Sequence, residues 1–276
     1  MPRTVVAITG ASSGIGSVFA QKLASGHDLI LIARRRDRLE NLAEQLGRIH
    51  GSNVEVMQAD LTKPEDLDRV AERIGNEPRL ALLVNNAGFG AKGRFWESPL
   101  ETQEQMHRLH VMAPMQLCHA ALRNMVKRDF GGIINVASVS AFVRSPAHAS
   151  YAATKSWMTV FTESLYLELR SVHSNVTVQA LCPGFTYSEF HDTMGADRRS
   201  MASSAYWMTA DQVVEASLDG LRRRKLFVIP GWRYRLFTAI FSKLPNALRL
   251  ALEAKAPQAR AKEITSGVGE IKRIGQ

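Results

Sequence analysis

"RTVVAITGASSGIG", residues 3–16, decides the fold. Val5, Val6, Ala7 and Ile8 make a short apolar run, rich in β-branched residues, that reads as a strand. Gly10, Gly14 and Gly16 follow within seven residues. Helical spacing then sets in, with Val18, Phe19, Lys22 and Leu23, and stops at Gly26. Glycines let the backbone turn tightly and approach a pyrophosphate, and the helix N-terminus offers it free N–H groups and a partial positive charge. A glycine triplet can also close a strand for structural reasons alone. Placed after the first strand of a βαβ unit, it signals nucleotide binding. The candidate contacts are Gly10, Ser12, Ser13, Gly14, Ile15 and Gly16.

Outward from this turn the same alternation continues. "DLILIARR", "NVEVMQADL", "LALLVNNAG", "GGIINVAS", "NVTVQALCPG" and "LFVIPG" read as further strands. Between them lie an amphipathic helix carrying Leu39, Leu42 and Leu46, and a helix with Pro64 in its first turn. A long helix covers roughly 98–127, another runs from the Tyr151 segment to about Ser171, and one starts at Thr209 as N-cap. About seven apolar strands alternating with helices predict an α/β fold, a doubly wound parallel sheet with helices on both faces. Ligands of such sheets bind at the carboxyl ends of the strands, near the point where strand order reverses. The glycine turn, "ARRR", Asp60, "NNAG", Ser138 and "PGFT" all follow strands, so they share that edge.

The second strand ends "LIARRR", with no carboxylate before Asp37. An acidic residue there would bind a ribose 2′-hydroxyl, whereas an arginine accommodates a 2′-phosphate. Arg34 and Arg35 therefore favour NADP(H) over NAD(H). Arg36 and Arg38 read as solvated surface.

"SYAATKSW", residues 150–157, puts Tyr151 and Lys155 four apart, on one face of a helix. A nearby ammonium favours the phenolate, which makes a phenol usable in proton transfer near neutral pH. A Tyr-x-x-x-Lys pair alone is also an ordinary surface pair. Ser138 stands thirteen residues before Tyr151.

Taken together, "TGASSGIG", "NNAG", Ser138, "YAATK" and "PGFT" resemble the short-chain dehydrogenase/reductase family. The match runs in order from about residue 4 to 190, with the following helix and strand also in place. The resemblance implies a single Rossmann-type domain over residues 1–230, with cofactor and substrate sites on one sheet. It implies that Tyr151 is the general acid in ketone reduction and the base in alcohol oxidation. Lys155 would lower its pKa and bind the nicotinamide ribose, and Ser138 would bind the substrate oxygen. Asp60 with Leu61 is expected at the adenine, Asn86, Ala87 and Gly88 along the adenosine and ribose, and Pro183, Gly184 and Thr186 near the nicotinamide. Homo-oligomers are common in the family.

One position departs from the family pattern. His110 replaces an asparagine that, in the family, helps hold a water linking the lysine to solvent. Imidazole can relay protons too, which would add a pH dependence, or it can fill space and bond to a backbone group. Residues 185–208 show no clear period and read as a substrate loop. Phe190, His191, Met194, Tyr206 and Trp207 are wall candidates there, with Phe89, Phe95, Phe142 and Val143 elsewhere. The apolar walls suggest a medium or bulky hydrophobic carbonyl substrate.

The net charge of +9 is uneven: Leu221 to Gln276 holds 13 Lys/Arg against 3 Asp/Glu, so the body is nearly neutral. This argues against a globally basic nucleic-acid binder. Residues 231–276 read as a basic, amphipathic helical extension. Trp232, Leu236, Phe237, Ile240, Phe241 and Leu244 form a stripe, and Pro245 breaks the helix. The stripe could pack on the body or a second subunit, close over a lipophilic substrate, or lie on an anionic membrane surface. The chain shows no signal segment, spanning run, metal-ligand cluster or disulfide framework among Cys118 and Cys182, which suits a cytoplasmic protein. The reading is an NADP(H)-dependent oxidoreductase. The alternatives are a redox sensor that binds NADP(H) without turnover, or a binding protein at a membrane surface.

Overall fold

The computed structural model describes residues 2–91, 93–189 and 204–255. Seven parallel strands form one sheet, in the order β3-β2-β1-β4-β5-β6-β9. They are β1 (Thr4–Thr9), β2 (His27–Ala33), β3 (Val54–Gln58), β4 (Leu80–Asn85), β5 (Gly132–Val136), β6 (Thr177–Leu181) and β9 (Phe227–Val228). All seven strands expected from the sequence are in it. Strand order reverses on either side of β1, which pairs with β2 and with β4.

Alternation along each strand explains why both faces are covered. Val5, Ala7, Ile30, Ile32, Leu83 and Val178 pack on one side, against Leu67, Val70 and Ile74 of α3 (Pro64–Gly75) and Leu117, Ala121 and Met125 of α5 (Ala113–Lys127). Val6, Ile8, Leu29, Leu31 and Val84 pack on the other. There they meet Phe19 of α1 (Gly14–Leu23), Leu39, Leu42 and Leu46 of α2 (Arg36–His50), and Val213 and Val214 of α7 (Ala210–Arg222). Period-two side chains buried on both faces make a strand apolar throughout. Thr209 caps α7 through a reciprocal bond with Gln212.

The long helix expected over 98–127 is interrupted. α4 (Leu100–His107) leads into a π-helical turn, Arg108–Met112, before α5 begins. The Ala113 N–H reaches back to the Arg108 carbonyl. Pro114 explains the widening: it has no N–H for the His110 carbonyl, and its ring crowds that oxygen. Helix α6 (Ala149–Ser171) carries the Tyr151 segment. The loop expected to lack regular structure is tied at its ends. β7 (Thr186–Tyr187) pairs with β8 (Met208–Thr209) as a short parallel ladder.

Pro245 separates α8 (Trp232–Phe241) from α9 (Asn246–Lys255). Most of the apolar stripe faces outward: Trp232, Leu236, Phe237 and Ile240 are exposed and Phe241 and Leu244 half-buried, while Tyr234 and Thr238 are buried. The reason is chemical. The Tyr234 hydroxyl accepts from the Phe185 N–H at 3.0 Å and donates to the Tyr206 carbonyl at 2.7 Å, so the helix turns that face inward. In α9 likewise Glu253 is buried, accepting from the Arg144 N–H, while Leu248, Leu250 and Leu252 are exposed. No helix among the described residues is long and apolar enough to cross a membrane.

Candidate active site

A groove of about 720 Å³ opens at the carboxyl edge of the sheet. Its lining includes the glycine turn, Arg34, Arg35, Asp60, Leu61, Asn86, Ala87, Gly88, Ser138, Tyr151, Lys155, Pro183, Gly184 and Thr186. Every cofactor-binding candidate from the sequence lines it except Gly16, and so does each of the Ser138, Tyr151 and Lys155 set.

Gly16 lies just beneath and explains the shape of the turn. A Cβ there would stand 2.4 Å from the Gly10 carbonyl oxygen, a backbone atom that cannot yield. Gly10 itself has φ +67°, in the left-handed region. The turn is held from β4: Asn86 Nδ2 donates to the Thr9 and Gly10 carbonyls at 3.0 and 3.3 Å. Thr9 Oγ1 accepts from the Asn86 and Ala87 N–H groups in return. The Asn86 side chain thus braces the cradle. Thr9 was not singled out in the sequence, because a threonine ending a strand has no distinctive local pattern. Asp60 accepts from Thr62 through Oδ1, which fixes its carboxylate at the rim of the groove.

Of the two arginines expected at the cofactor, Arg35 lies on the glycine turn, donating to Ser12 Oγ at 3.0 Å and Ser13 Oγ at 2.8 Å. Arg34 is exposed and lines the same groove. Arg36 pairs with Glu40 on the helix surface, as expected. Arg38 is likewise exposed, and it also holds Glu189, which Arg35 holds too. Glu189 gave no signal in the sequence, since nothing local marks a loop carboxylate for a helix on the far side of the turn.

Ser138, Tyr151 and Lys155 come together from β5 and α6. Ser138 follows the strand and accepts from the Ser140 N–H. Lys155 Nζ donates to the Val136 carbonyl at 2.8 Å and lies 5.8 Å from the Tyr151 ring centre. Burial pushes the Tyr151 phenol up to about 12, and its hydrogen bond with Ser138 pulls the other way. Burial also brings the Lys155 ammonium down to about 8. Desolvation, which disfavours the phenolate, is the larger of these two causes at Tyr151.

His110 is fully buried in the π turn. Its Nε2 accepts from the Phe89 N–H at 3.1 Å, and its Nδ1 meets Thr154 Oγ1 at 3.1 Å. Thr154 donates to the Tyr151 carbonyl, so the imidazole proton sits on Nδ1. Burial first, then the Lys155 charge, hold its pKa well below the usual value. A neutral ring with both nitrogens engaged is the arrangement that the bonded, space-filling reading describes.

Phe89, Leu109 and Phe185 line the groove. Phe95 borders a separate small cavity, and Phe142 packs on Phe227. Trp207 stacks on Tyr187 and tilts against Phe185, while Tyr206 is exposed, so neither is a wall. Phe190, His191 and Met194 lie outside the described residues. Among the described residues no cluster of His, Cys, Asp or Glu could hold a metal ion.

The residues present fit a dinucleotide. The turn is a cradle that a Cβ would fill, it opens at a helix N-terminus, and cations stand at the end of β2. Comparison with known proteins agrees. The family model described as short chain dehydrogenase matches residues 4–199. The 11-beta-hydroxysteroid dehydrogenase-like 4A of Arabidopsis thaliana is 34% identical over 239 residues, covering 84% of this chain and 78% of that protein. A short-chain dehydrogenase from Sphingobium yanoikuyae, solved with NADPH, is 35% identical with a TM-score of 0.79, covering 90% of this chain and 98% of the other. The bulky-bulky ketone specific alcohol dehydrogenase from Comamonas testosteroni is 29% identical with a TM-score of 0.75, covering 90% and 97%.

Proposed function

The chain belongs to the short-chain dehydrogenase family, an oxidoreductase acting on CH–OH groups, and from that premise we propose that it reduces a medium or bulky hydrophobic ketone or aldehyde with NADPH. The observation that carries the proposal is the convergence, in one groove, of Ser138, Tyr151 and Lys155 with the glycine cradle and Arg35. When bound, the dinucleotide supplies the hydride that the carbonyl carbon takes up.

The chain's own residues do the rest. Ser138 hydrogen-bonds the substrate oxygen beside Tyr151, orienting the carbonyl. Tyr151 gives its proton to that oxygen as negative charge develops, and takes it back in alcohol oxidation. A phenol kept protonated by burial suits the reductive direction at neutral pH. Lys155, still largely protonated near neutrality, stabilises the phenolate left behind. Gly10, Ser12, Ser13, Gly14, Ile15 and Gly16 hold the pyrophosphate, Asp60 and Leu61 the adenine, and Asn86, Ala87 and Gly88 the adenosine and ribose. Pro183, Gly184 and Thr186 hold the nicotinamide end. His110 positions: it ties Phe89 and, through Thr154, the first turn of α6 to the π turn.

Two features support the cofactor and substrate class. A solved relative carries NADPH, and one cation, Arg35 just beyond β2, bonds the glycine turn. Apolar side chains of Phe89 and Leu109 lie on the groove, and a structural neighbour is specific for bulky ketones. The test is a paired titration with NADPH and NADH, then a ketone panel with a Tyr151→Phe control. NADPH should bind at least about tenfold tighter, and Tyr151→Phe should lower kcat by about a hundredfold or more with cofactor affinity unchanged. Equal binding of the two cofactors removes the NADP(H) preference. An unimpaired phenylalanine variant removes the mechanism and favours a binding role.

The same proposal includes a homo-oligomer, checked by light scattering, and a second role for α8. Its exposed Trp232, Leu236, Phe237 and Ile240, flanked by Arg233, Arg235 and Lys243, suit contact with an anionic membrane surface. Flotation with anionic vesicles should be lost on replacing Trp232 and Ile240 by serine; failure of the unaltered protein to float rejects the role.

A further inference from the structure

Glu189 follows β7 and reaches across the glycine turn to α2. Its Oε2 accepts from Arg35 Nη1 at 2.8 Å, and its Oε1 from Arg38 Nη1 at 2.5 Å. The same Arg35 guanidinium bonds Ser12 and Ser13 of the turn. One carboxylate thus bridges two guanidinium groups beside the part of the cradle where the sugar adjoining the adenine belongs. Glu189 lines the groove together with Arg34, Arg35 and Asp60. Ser188 beside it sits over the turn, 3.1 Å from where a Gly14 Cβ would stand.

A carboxylate with two guanidiniums is chemically what a phosphate with two guanidiniums would be. Both are anionic oxygen acceptors suited to the guanidinium fork. Hydrogen bonds from Arg35 and Arg38, and then their charges, hold the Glu189 carboxyl down to about 2, so it is an anion near neutral pH. The site therefore already contains the charge type that a 2′-phosphate would bring.

We propose that Glu189 is an internal competitor for the cofactor's 2′-phosphate: its carboxylate engages the two guanidinium groups the phosphate would use, and so sets how strongly the site prefers NADP(H) over NAD(H). This deepens the NADP(H) reading of the site and rests on it. A 2′-phosphate that uses Arg35 and Arg38 must displace Glu189 or share them with a second negative charge. A 2′-hydroxyl needs neither. Glu189 thus lowers affinity for the phosphorylated cofactor selectively, and Arg38, a full turn beyond the strand end, becomes part of the recognition set. The pairs are partly solvent-exposed, so the effect is moderate.

The test is Glu189→Gln, which keeps the size and one acceptor oxygen but removes the charge and the second acceptor. Dissociation constants for NADPH, NADH and adenosine 2′,5′-bisphosphate are measured by fluorescence and calorimetry, with no turnover required. NADPH and the bisphosphate should bind about fivefold tighter to the variant, with NADH unchanged and the melting temperature close to wild type. Tighter binding should be lost again in Glu189→Gln combined with Arg38→Gln. If the wild type prefers NADPH and Glu189→Gln changes nothing, the competition is wrong while the NADP(H) reading stands. If the wild type shows no preference and the variant gains one, Glu189 is upheld as the reason the preference was masked. If neither protein distinguishes the cofactors, both readings fall. Weaker NADPH binding by the variant means Glu189 pre-orders the arginines, and weaker NADH binding means it receives the 2′-hydroxyl; either overturns the proposal.

Discussion

With Nε2 accepting from the Phe89 N–H and Nδ1 bonded to Thr154, both ring nitrogens of His110 have partners other than Lys155. Its neutral state follows from burial and from the Lys155 charge, so it does not titrate in the range where an exposed imidazole would. His110→Asn is therefore expected to leave the shape of the pH–rate profile unchanged over roughly pH 5.5 to 8. Its stability should drop, because the shorter amide cannot reach both partners and a buried group is left unpaired. Profiles that move apart at the acid end would restore the relay. The sequence shows that an imidazole stands in this helix, and Pro114 four residues on is the visible cause of the π turn around it. It does not show what lies opposite the ring. Phe89 and Thr154 are 21 and 44 residues away, and only the fold brings a backbone N–H and a hydroxyl to its two edges.

Elements whose order repeats were legible, and elements whose inner face is chosen by polar atoms were not. Apolar runs, Pro64, Thr209 and Pro245 mark strands and helix limits by local physics, and the sheet follows from their alternation. In α8 the usual rule, that the apolar stripe is the buried face, gives the wrong side. Tyr234 and Thr238 turn inward because a phenol can fill the hollow at Gly184 and bond two backbone groups at once. A Cβ on Gly184 would lie 2.1 Å from the Tyr234 ring, so this contact is close-packed. It ties the C-terminal helix to the strand-end loop that carries Pro183, Gly184 and Thr186. Tyr234→Phe keeps the ring and removes the hydroxyl, leaving the Phe185 N–H and the Tyr206 carbonyl without this partner. Such a loss costs about 1–3 kcal/mol where the groups stay dry. Thermal unfolding should register it, and KM for cofactor should rise more than kcat falls, since the loop and not the proton donor is disturbed. A phenylalanine variant with wild-type melting and wild-type KM would show that the hydroxyl is dispensable.

At the scale of the whole molecule, the groove sets two buried titratable groups against global stability. Burial lowers Lys155 to about 8 from an ordinary lysine value of 10.5 and raises Tyr151 to about 12 from 10.0. Below the lowered lysine value both folded and unfolded chains hold the proton, and the fold bears the whole burden of a buried ammonium. Between that value and the ordinary one the unfolded chain binds more protons than the folded one, so Lys155 contributes a gain in stability as pH rises. Tyr151 acts above its ordinary value: the unfolded chain then loses the phenolic proton first, and stability declines as pH climbs toward the folded value. The unliganded protein should thus carry a local stability increment on the mildly alkaline side, from roughly pH 8 to 10. Lys155→Met isolates it. The methionine fills a similar volume without charge, so the difference in melting temperature, variant minus wild type, should be largest below about pH 8 and shrink toward pH 10. The change of that difference with pH is the readout, because the packing change on going to methionine shifts it equally at every pH. A difference that stays flat across this window would mean that Lys155 remains charged in the folded state. The groove would then hold enough water to solvate it, and the protonation states assigned to the Tyr151–Lys155 pair would have to be redrawn.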